Sequence, residues 1–339
     1  MTAKPLLNLR VSSLAALLAL SITAQTPQPY NRLLFAGDVM LSRGVRREIL
    51  AAKDPAMPFR KIAPMMSAAD ITFVNLETPF SDKGPYYQEG LIFHAGPDMI
   101  AGLQLAGVDI ASTANNHSRD CGPHGVEFTV SWLRSHGIAP LGTSESIETT
   151  HKGVVIVRNG IRFGFLGYTY DQSNGNWHDI DERIALADPE IMTRDVAALK
   201  QNADVVIVSM HSGIEYTSKP SQKQIAFAHA AIDAGAKLVI GHHPHVIEPM
   251  ESYRGGLIFY SLGNFVFDQY QREQTQHGEM VEISFVGKEF LAARRIPVRI
   301  TKTGPELESY SAASGPLDVS TELRAHRRKD LLGKRMLAP

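Results

Sequence analysis

With Cys121 as its single cysteine, the chain can form no internal disulfide, so burial and hydrogen bonding have to hold its fold. It is equally poor in net charge: 34 Lys and Arg face 35 Asp and Glu, a formal balance of -1. No global field therefore draws it to nucleic acid, although RAHRRKDLLGKR near the C-terminus is locally basic and reads as a solvated tail. No repeat of fixed period appears, and no low-complexity linker divides residues 30 to 300. Nor is any apolar run long enough for a comfortable membrane span, which needs roughly 20 residues. The nearest is VSSLAALLALSITA, 14 residues that follow Lys4 and Arg10 and precede the polar QTPQPYN. That order is the one of a secretory signal, expected to be cleaved after Ala24 or kept as an anchor, and it places the protein in the periplasm or at the cell surface. With no cysteine nearby, lipid attachment at a lipobox is excluded.

What the chain does contain is the composition of a folded, enzyme-sized protein, 44% hydrophobic and 20% charged. Short β-branched runs alternate with helical patterns. RLLFAG (32–37), ITFVNL (71–76), VDIAST (108–113), VVIVR (154–158), IRFGFLGY (161–168), DVVIVSM (204–210), KLVIG (237–241) and GLIFYSLG (256–263) read as strands. Stretches 97–107, 125–137, 193–202 and 221–235 read as helices, the last closing on Gly235 as a C-cap. Continuous apolar strands separated by helices indicate sheets covered on both faces, hence α/β layers.

The ends of those strands carry the chemistry. Asp38 follows LLFAG, Glu77 follows FVNL, Asn115, Asn116 and His117 follow IASTA, His211 follows VVIVSM, and His242, His243 and His245 follow KLVI in the segment GHHPH. In layered α/β folds ligands bind beyond the carboxyl ends of the strands, so residues far apart in sequence are placed to converge. Imidazoles in a turn after a strand suit zinc, manganese or iron, and they equally suit hydrogen bonds to backbone.

GDVML, NLET, ANNHSRDCG, MHSGIEY, GHHPHV and YSLGNFVFD, in that order across about residues 31 to 270, resemble the CapA family of capsule-synthesis (poly-gamma-glutamate) proteins, which is similar to the calcineurin-like metallophosphoesterases. The resemblance implies a four-layer α/β sandwich of two mixed sheets flanked by helices, with a metal centre at one edge. It places the domain at 31–300, after the signal 1–24 and before a polar, basic tail 301–339. It further implies one or two divalent metal ions held by Asp38, Glu77, Asn116, His211, His243 and His245, with Glu77 bridging and His117 protonating a leaving group or orienting a ligand. Asn115, Glu215, His242 and Asn264 are weaker candidates for substrate contact or support of the ligands, and Asp120 is expected to hydrogen-bond locally. Arg43 is a candidate contact for an anionic substrate. One position departs from the phosphoesterase pattern: Met40 stands where a histidine is expected, and thioether is a poor ligand for hard metals. The function implied is that of an exported hydrolase acting on an anionic polymer or phosphoester. The alternative is a non-catalytic, metal-stabilised partner of a membrane capsule synthase.

Overall fold

The computed structural model describes residues 29–86, 89–170 and 181–308. The signal read over 1–24 and the tail beyond 308 lie outside the described residues. Two mixed sheets form the centre. The first has the order β14-β13-β12-β1-β2-β3-β4, where β1 is Tyr30–Val39, β2 Ile71–Leu76, β3 Ile110–Ser112, β4 Ala139–Leu141, β12 His277–Val286, β13 Glu289–Thr301 and β14 Gly304–Leu307; β11 (Asn264–Val266) joins β1 at its carboxyl end. The second has the order β5-β6-β7-β8-β10-β9, where β5 is Val154–Arg158, β6 Ile161–Thr169, β7 Val205–His211, β8 Leu238–His242, β9 Met250–Tyr253 and β10 Gly256–Phe259.

Alternation along the central strands divides their apolar residues between two cores, which is why those runs are largely apolar. Leu33 and Phe35 of β1 meet Phe163 and Phe165 of β6 between the sheets, while Leu34 and Ala36 face outward onto the helices Arg43–Ala52 and Ile100–Leu105. On the far side, Val206 and Val208 of β7 pack on the helices Pro189–Leu199 and Gln222–Ala234. The result is helix, sheet, sheet, helix: a four-layer sandwich.

Helix 222–234 starts on a capping box, with Ser221 Oγ accepting from Gln224 N and Gln224 Oε1 accepting from Ser221 N. It ends on Gly235 at φ 112, in the left-handed region that a side chain resists. The helix 125–137 of the sequence reading begins earlier, at Gly122, and 193–202 begins at Pro189 behind the N-cap Asp188. Strands β12, β13 and β14 have no counterpart in that reading. β12 and β13 form a long hairpin, and β13 is exposed at alternate positions, so its mixed composition reads as polar although its inner face is buried. β14 carries the sheet past residue 300, where the sequence places the domain's edge.

Parallel strands β1, β2 and β3 of one sheet and β7 and β8 of the other bring their carboxyl ends to the same edge of the sandwich. Gly37 permits this locally: a Cβ there would lie 2.0 Å from Gly263 O, and the close approach seats Asp38 beside Asn264 on β11.

Candidate metal centre

At that edge the structure brings together Asp38, Glu77, Asn116, His117, His211, His243 and His245, all buried. Two sets of donor atoms lie within 4.8 Å of one another, Glu77 with His211 and His243, and Asp38 with Glu77 and His245. Glu77 is common to both.

Glu77 is the anomaly that organises the site. Its carboxylate is fully buried, and neither oxygen has a hydrogen-bond partner. Such a group costs several kcal/mol unless something compensates it. What surrounds it are imidazoles: the Nε2 atoms of His117, His211 and His245 each stand 3.9 Å from Glu77 Oε1. Two donors bound to one ion at about 2.1 Å each are at most about 4.2 Å apart, so this spacing fits an ion between them. Burial, then the negative charges of Asp38 and Glu215, push the Glu77 carboxyl well above its ordinary range. A cation would reverse that penalty.

The imidazoles are prepared for the same role. Burial and the neighbouring His243 hold His211 well below the ordinary histidine range, and burial with His245 pushes His243 down to about 3. Both are neutral at physiological pH, as metal ligands must be. Asp38 is the converse case. Burial would raise its carboxyl, but the imidazoles of His242 and His245 outweigh that and hold it well below the carboxylate range.

Supporting contacts set the orientation of each donor. His245 Nδ1 lies 3.0 Å from Asn264 Oδ1, whose amide nitrogen is committed to Thr275 O and Gln269 Oε1, so the proton sits on Nδ1 and Nε2 turns to Glu77. Asn116 Oδ1 is 2.8 Å from His211 Nε2, which is 3.2 Å from His243 Nδ1. His243 Nε2 is 2.9 Å from the Tyr170 hydroxyl, and Asn75 Nδ2 donates to Asp38 Oδ1 at 2.8 Å. The loop of β8 delivers its two histidines by backbone strain: His243 has φ 100 and His245 φ 60, conformations that cost non-glycine residues of order 1–3 kcal/mol each.

His117 is held differently. Its Nδ1 lies 2.6 Å from Asp120 Oδ2, which also accepts from Phe93 N, and its ring stacks on Phe93 with centroids 3.8 Å apart. With Nδ1 donating to the carboxylate, Nε2 points toward Glu77.

The weaker candidates separate. Asn115 pins the loop, donating to Leu76 O and accepting from His117 N, and so supports the site from behind. His242 is buried against Phe73 with both ring nitrogens unbonded, Nδ1 being 3.5 Å from Asp38 Oδ1. Glu215 is exposed on the loop after β7 and reaches the centre only through its charge. Met40 packs among the apolar residues under the helix Arg43–Ala52, and its sulfur accepts from Ser42 N at 3.0 Å; nothing in that arrangement offers it to an ion. Arg43 pairs with Asp268. Asn75, Tyr170 and Phe93 escaped the sequence reading. Only Asn75 carried a signal, since it lies two residues before Glu77 and so on the same face of β2.

Two mixed sheets between helices, with carboxylate, amide and imidazole donors at the strand ends, define a metallophosphoesterase-like sandwich. A phosphatase from Mycoplasma pneumoniae has this fold at TM-score 0.53 and 14% identity over 81% of the chain and 96% of its own, and a hypothetical protein of Thermus thermophilus shares it at TM-score 0.50 and 18% identity over 80% and 100%. Residues 32–269 match the model of the bacterial capsule synthesis protein family PGA_cap, and the chain belongs to that family. The PGA biosynthesis protein CapA of Bacillus subtilis is 34% identical over 239 residues, 69% of this chain and 63% of the relative. The capsule biosynthesis protein CapA of Bacillus anthracis is 34% identical over 242 residues, 69% and 59%. A probable polyglutamine synthesis accessory protein of Mycobacterium tuberculosis is 29% identical over 249 residues, 68% and 65%. The matched region thus spans about three fifths of the length of the Bacillus relatives.

Proposed function

We propose that this protein is an exported, metal-dependent hydrolase of the capsule-synthesis type, acting on a phosphoester or on the amide backbone of an anionic polymer such as poly-gamma-glutamate. The observation that carries this reading is the buried Glu77 carboxylate, unbonded at both oxygens and faced by three imidazole nitrogens at 3.9 Å. The donor set fits one or two divalent ions: Glu77, Asn116, His211 and His243 on one side, Asp38, Glu77 and His245 on the other. Such ions supply Lewis acidity and lower the pKa of water to about 7.

The remaining work falls to the chain's own residues. His117 holds a proton at Nε2, kept there by the bond from Nδ1 to Asp120, and delivers it to the leaving group. Phe93 stops the ring from turning. Asn264 and Tyr170 fix the nitrogens that His245 and His243 present to the centre. The names of the relatives, a PGA biosynthesis protein, a capsule biosynthesis protein and a probable polyglutamine synthesis accessory protein, support a surface polymer as substrate and a synthase as partner. Export rests on the order of charge, apolar stretch and polar segment in the first thirty residues. Among the described residues no helix is long and apolar enough to cross a membrane.

A second reading, a metal-stabilised partner without turnover, is favoured by Met40, which leaves Asp38, Glu77 and His245 without a fourth protein ligand. The discriminating experiment assays the purified protein, chelated and manganese-loaded, against bis(p-nitrophenyl) phosphate and poly-gamma-glutamate. Metal-dependent turnover is expected. Stoichiometric metal with no turnover of either compound would establish the partner reading instead.

A further inference from the structure

On the His117 side of the centre a cleft of about 500 Å³ opens against the start of the helix Arg43–Ala52, lined by Ser42, Arg43, Arg46, Ile92 and His94 among others. One aromatic ring separates it from His117. The Arg43 guanidinium carbon lies 4.9 Å from the centroid of Phe93, and Phe93 stacks on His117. The two arginines are not equivalent. Arg43 is answered by Asp268, whereas the Arg46 side chain has neither hydrogen bond nor ion pair among the described residues; the Nε atoms of both are shut off from solvent without a partner. His94 is fixed at the wall by its backbone N–H to Ser42 Oγ and by Nε2 at 3.0 Å from Ser81 O. A half-buried guanidinium lacking an acceptor is a site for a planar oxyanion, which it binds by two parallel charge-assisted hydrogen bonds.

We propose that this cleft is a subsite for an oxyanion, a carboxylate or a phosphate, carried by the leaving-group side of an extended anionic substrate, and that Arg46 is the residue that grips it. The assignment of side rests on the reading of His117 as proton donor; the affinity for an oxyanion does not. The subsite would select substrates with a second negative group beyond the one at the metal centre, and so distinguish a polyanion from a small ester.

Calorimetric titration of the full-length, chelator-treated protein with tri-γ-glutamate and, separately, with tripolyphosphate tests this. Chelation keeps hydrolysis silent and removes metal as a competing grip. Arg46→Gln is expected to weaken one of the two by at least about tenfold, and Arg46→Glu to abolish that binding, with thermal unfolding unchanged because the Arg46 side chain holds no partner among the described residues. The probe affected identifies carboxylate or phosphate. Binding of neither compound by the wild type, or equal binding by all three proteins, overturns the proposal. Absence of turnover in the manganese-loaded protein would count against the hydrolase reading and leave these affinities as they are.

Discussion

Among the described residues several buried carboxylates leave an oxygen without a hydrogen bond, and the surroundings of two of them, Glu77 and Glu248, differ. Glu77 has neither oxygen satisfied and lies at the strand ends among His117, His211 and His245. Glu248, on the segment after GHHPH, has Oε2 bonded to Gln224 Nε2 at 2.8 Å and Oε1 unpartnered, and among the described residues no imidazole forms an ion pair with it. Burial pushes its carboxyl up to about 7 despite that bond. A carboxylate starved of hydrogen bonds is therefore not in itself a metal ligand. What separates the two is the company of imidazole nitrogens, which can share an ion with Glu77 and are not found around Glu248 among the described residues.

Substitution at Glu77 gives the largest expected effect. Since both donor sets use this residue, Glu77→Ala should lower metal affinity by well over the roughly 10²-fold seen for outer supporting residues, and elemental analysis of the dialysed protein should find neither ion. One ion retained at wild-type affinity would mean that the sets are independent. Next, His117→Ala should cut kcat by about 10²–10⁴-fold while metal content stays near wild type. Parallel loss of metal would make His117 a ligand, and unchanged turnover would remove it from the chemistry.

Glu248 provides the contrasting measurement. Its folded-state pKa is raised above the unfolded value, so its contribution to stability is fully present below about pH 4.5 and is lost as the pH rises through about 7. Glu248→Gln keeps an acceptor for Gln224 and cannot ionise; it should raise stability by about 2 kcal/mol at pH 8 and by little at pH 4, with metal content untouched. Denaturant titrations at the two pH values check this, and an equal effect at both would show that the carboxyl does not titrate in that window.

The smallest effect sharpens the comparison inside the centre. Wild-type protein dialysed against a weak chelator should keep close to one ion per chain, at Glu77, Asn116, His211 and His243, because the other side lacks a fourth protein donor. Met40→His should leave the affinity of that weaker side unchanged, because the side chain at 40 is turned into the packing under helix 43–52; tightening by about tenfold, about 1.4 kcal/mol, would show that an imidazole at this position swings out to the ion. The variant's metal-free form should unfold at a lower temperature, since an imidazole replaces a thioether in the packing under helix 43–52. Two tightly held ions in the unmodified protein would show that another residue, such as His242 or Asp120, completes the set.

Much of this site could be read along the chain, for a local reason. Strand runs such as ITFVNL and VVIVR are bounded in the structure where the residues predict; the first is mostly apolar because it is buried on both faces, whereas the second is an edge strand that leaves Val155 and Val157 exposed. The residue that ends such a run is then placed at the sheet edge, which marked Asp38, Glu77 and His211. Capping of helix 222–234 by Ser221 and Gly235 is likewise a property of neighbours in sequence. Strands β12 to β14 were less legible because a half-exposed antiparallel strand mixes charged and apolar residues.

Sequence by itself determined the layered α/β class, the family blocks and the convergence of strand-end donors at one edge, because these follow from periodicity and chain direction. Tertiary structure alone decided where each side chain of GHHPH points, since alternation fails once His243 and His245 enter the left-handed region and only the packed loop holds them there. The same holds for Met40, turned into a core made by residues distant in sequence, for Asp120 and Phe93 closing on His117, and for Glu77 left without a hydrogen bond. Those are relations between separate segments, and a carboxylate's isolation exists only once every neighbour that would have satisfied it has been placed.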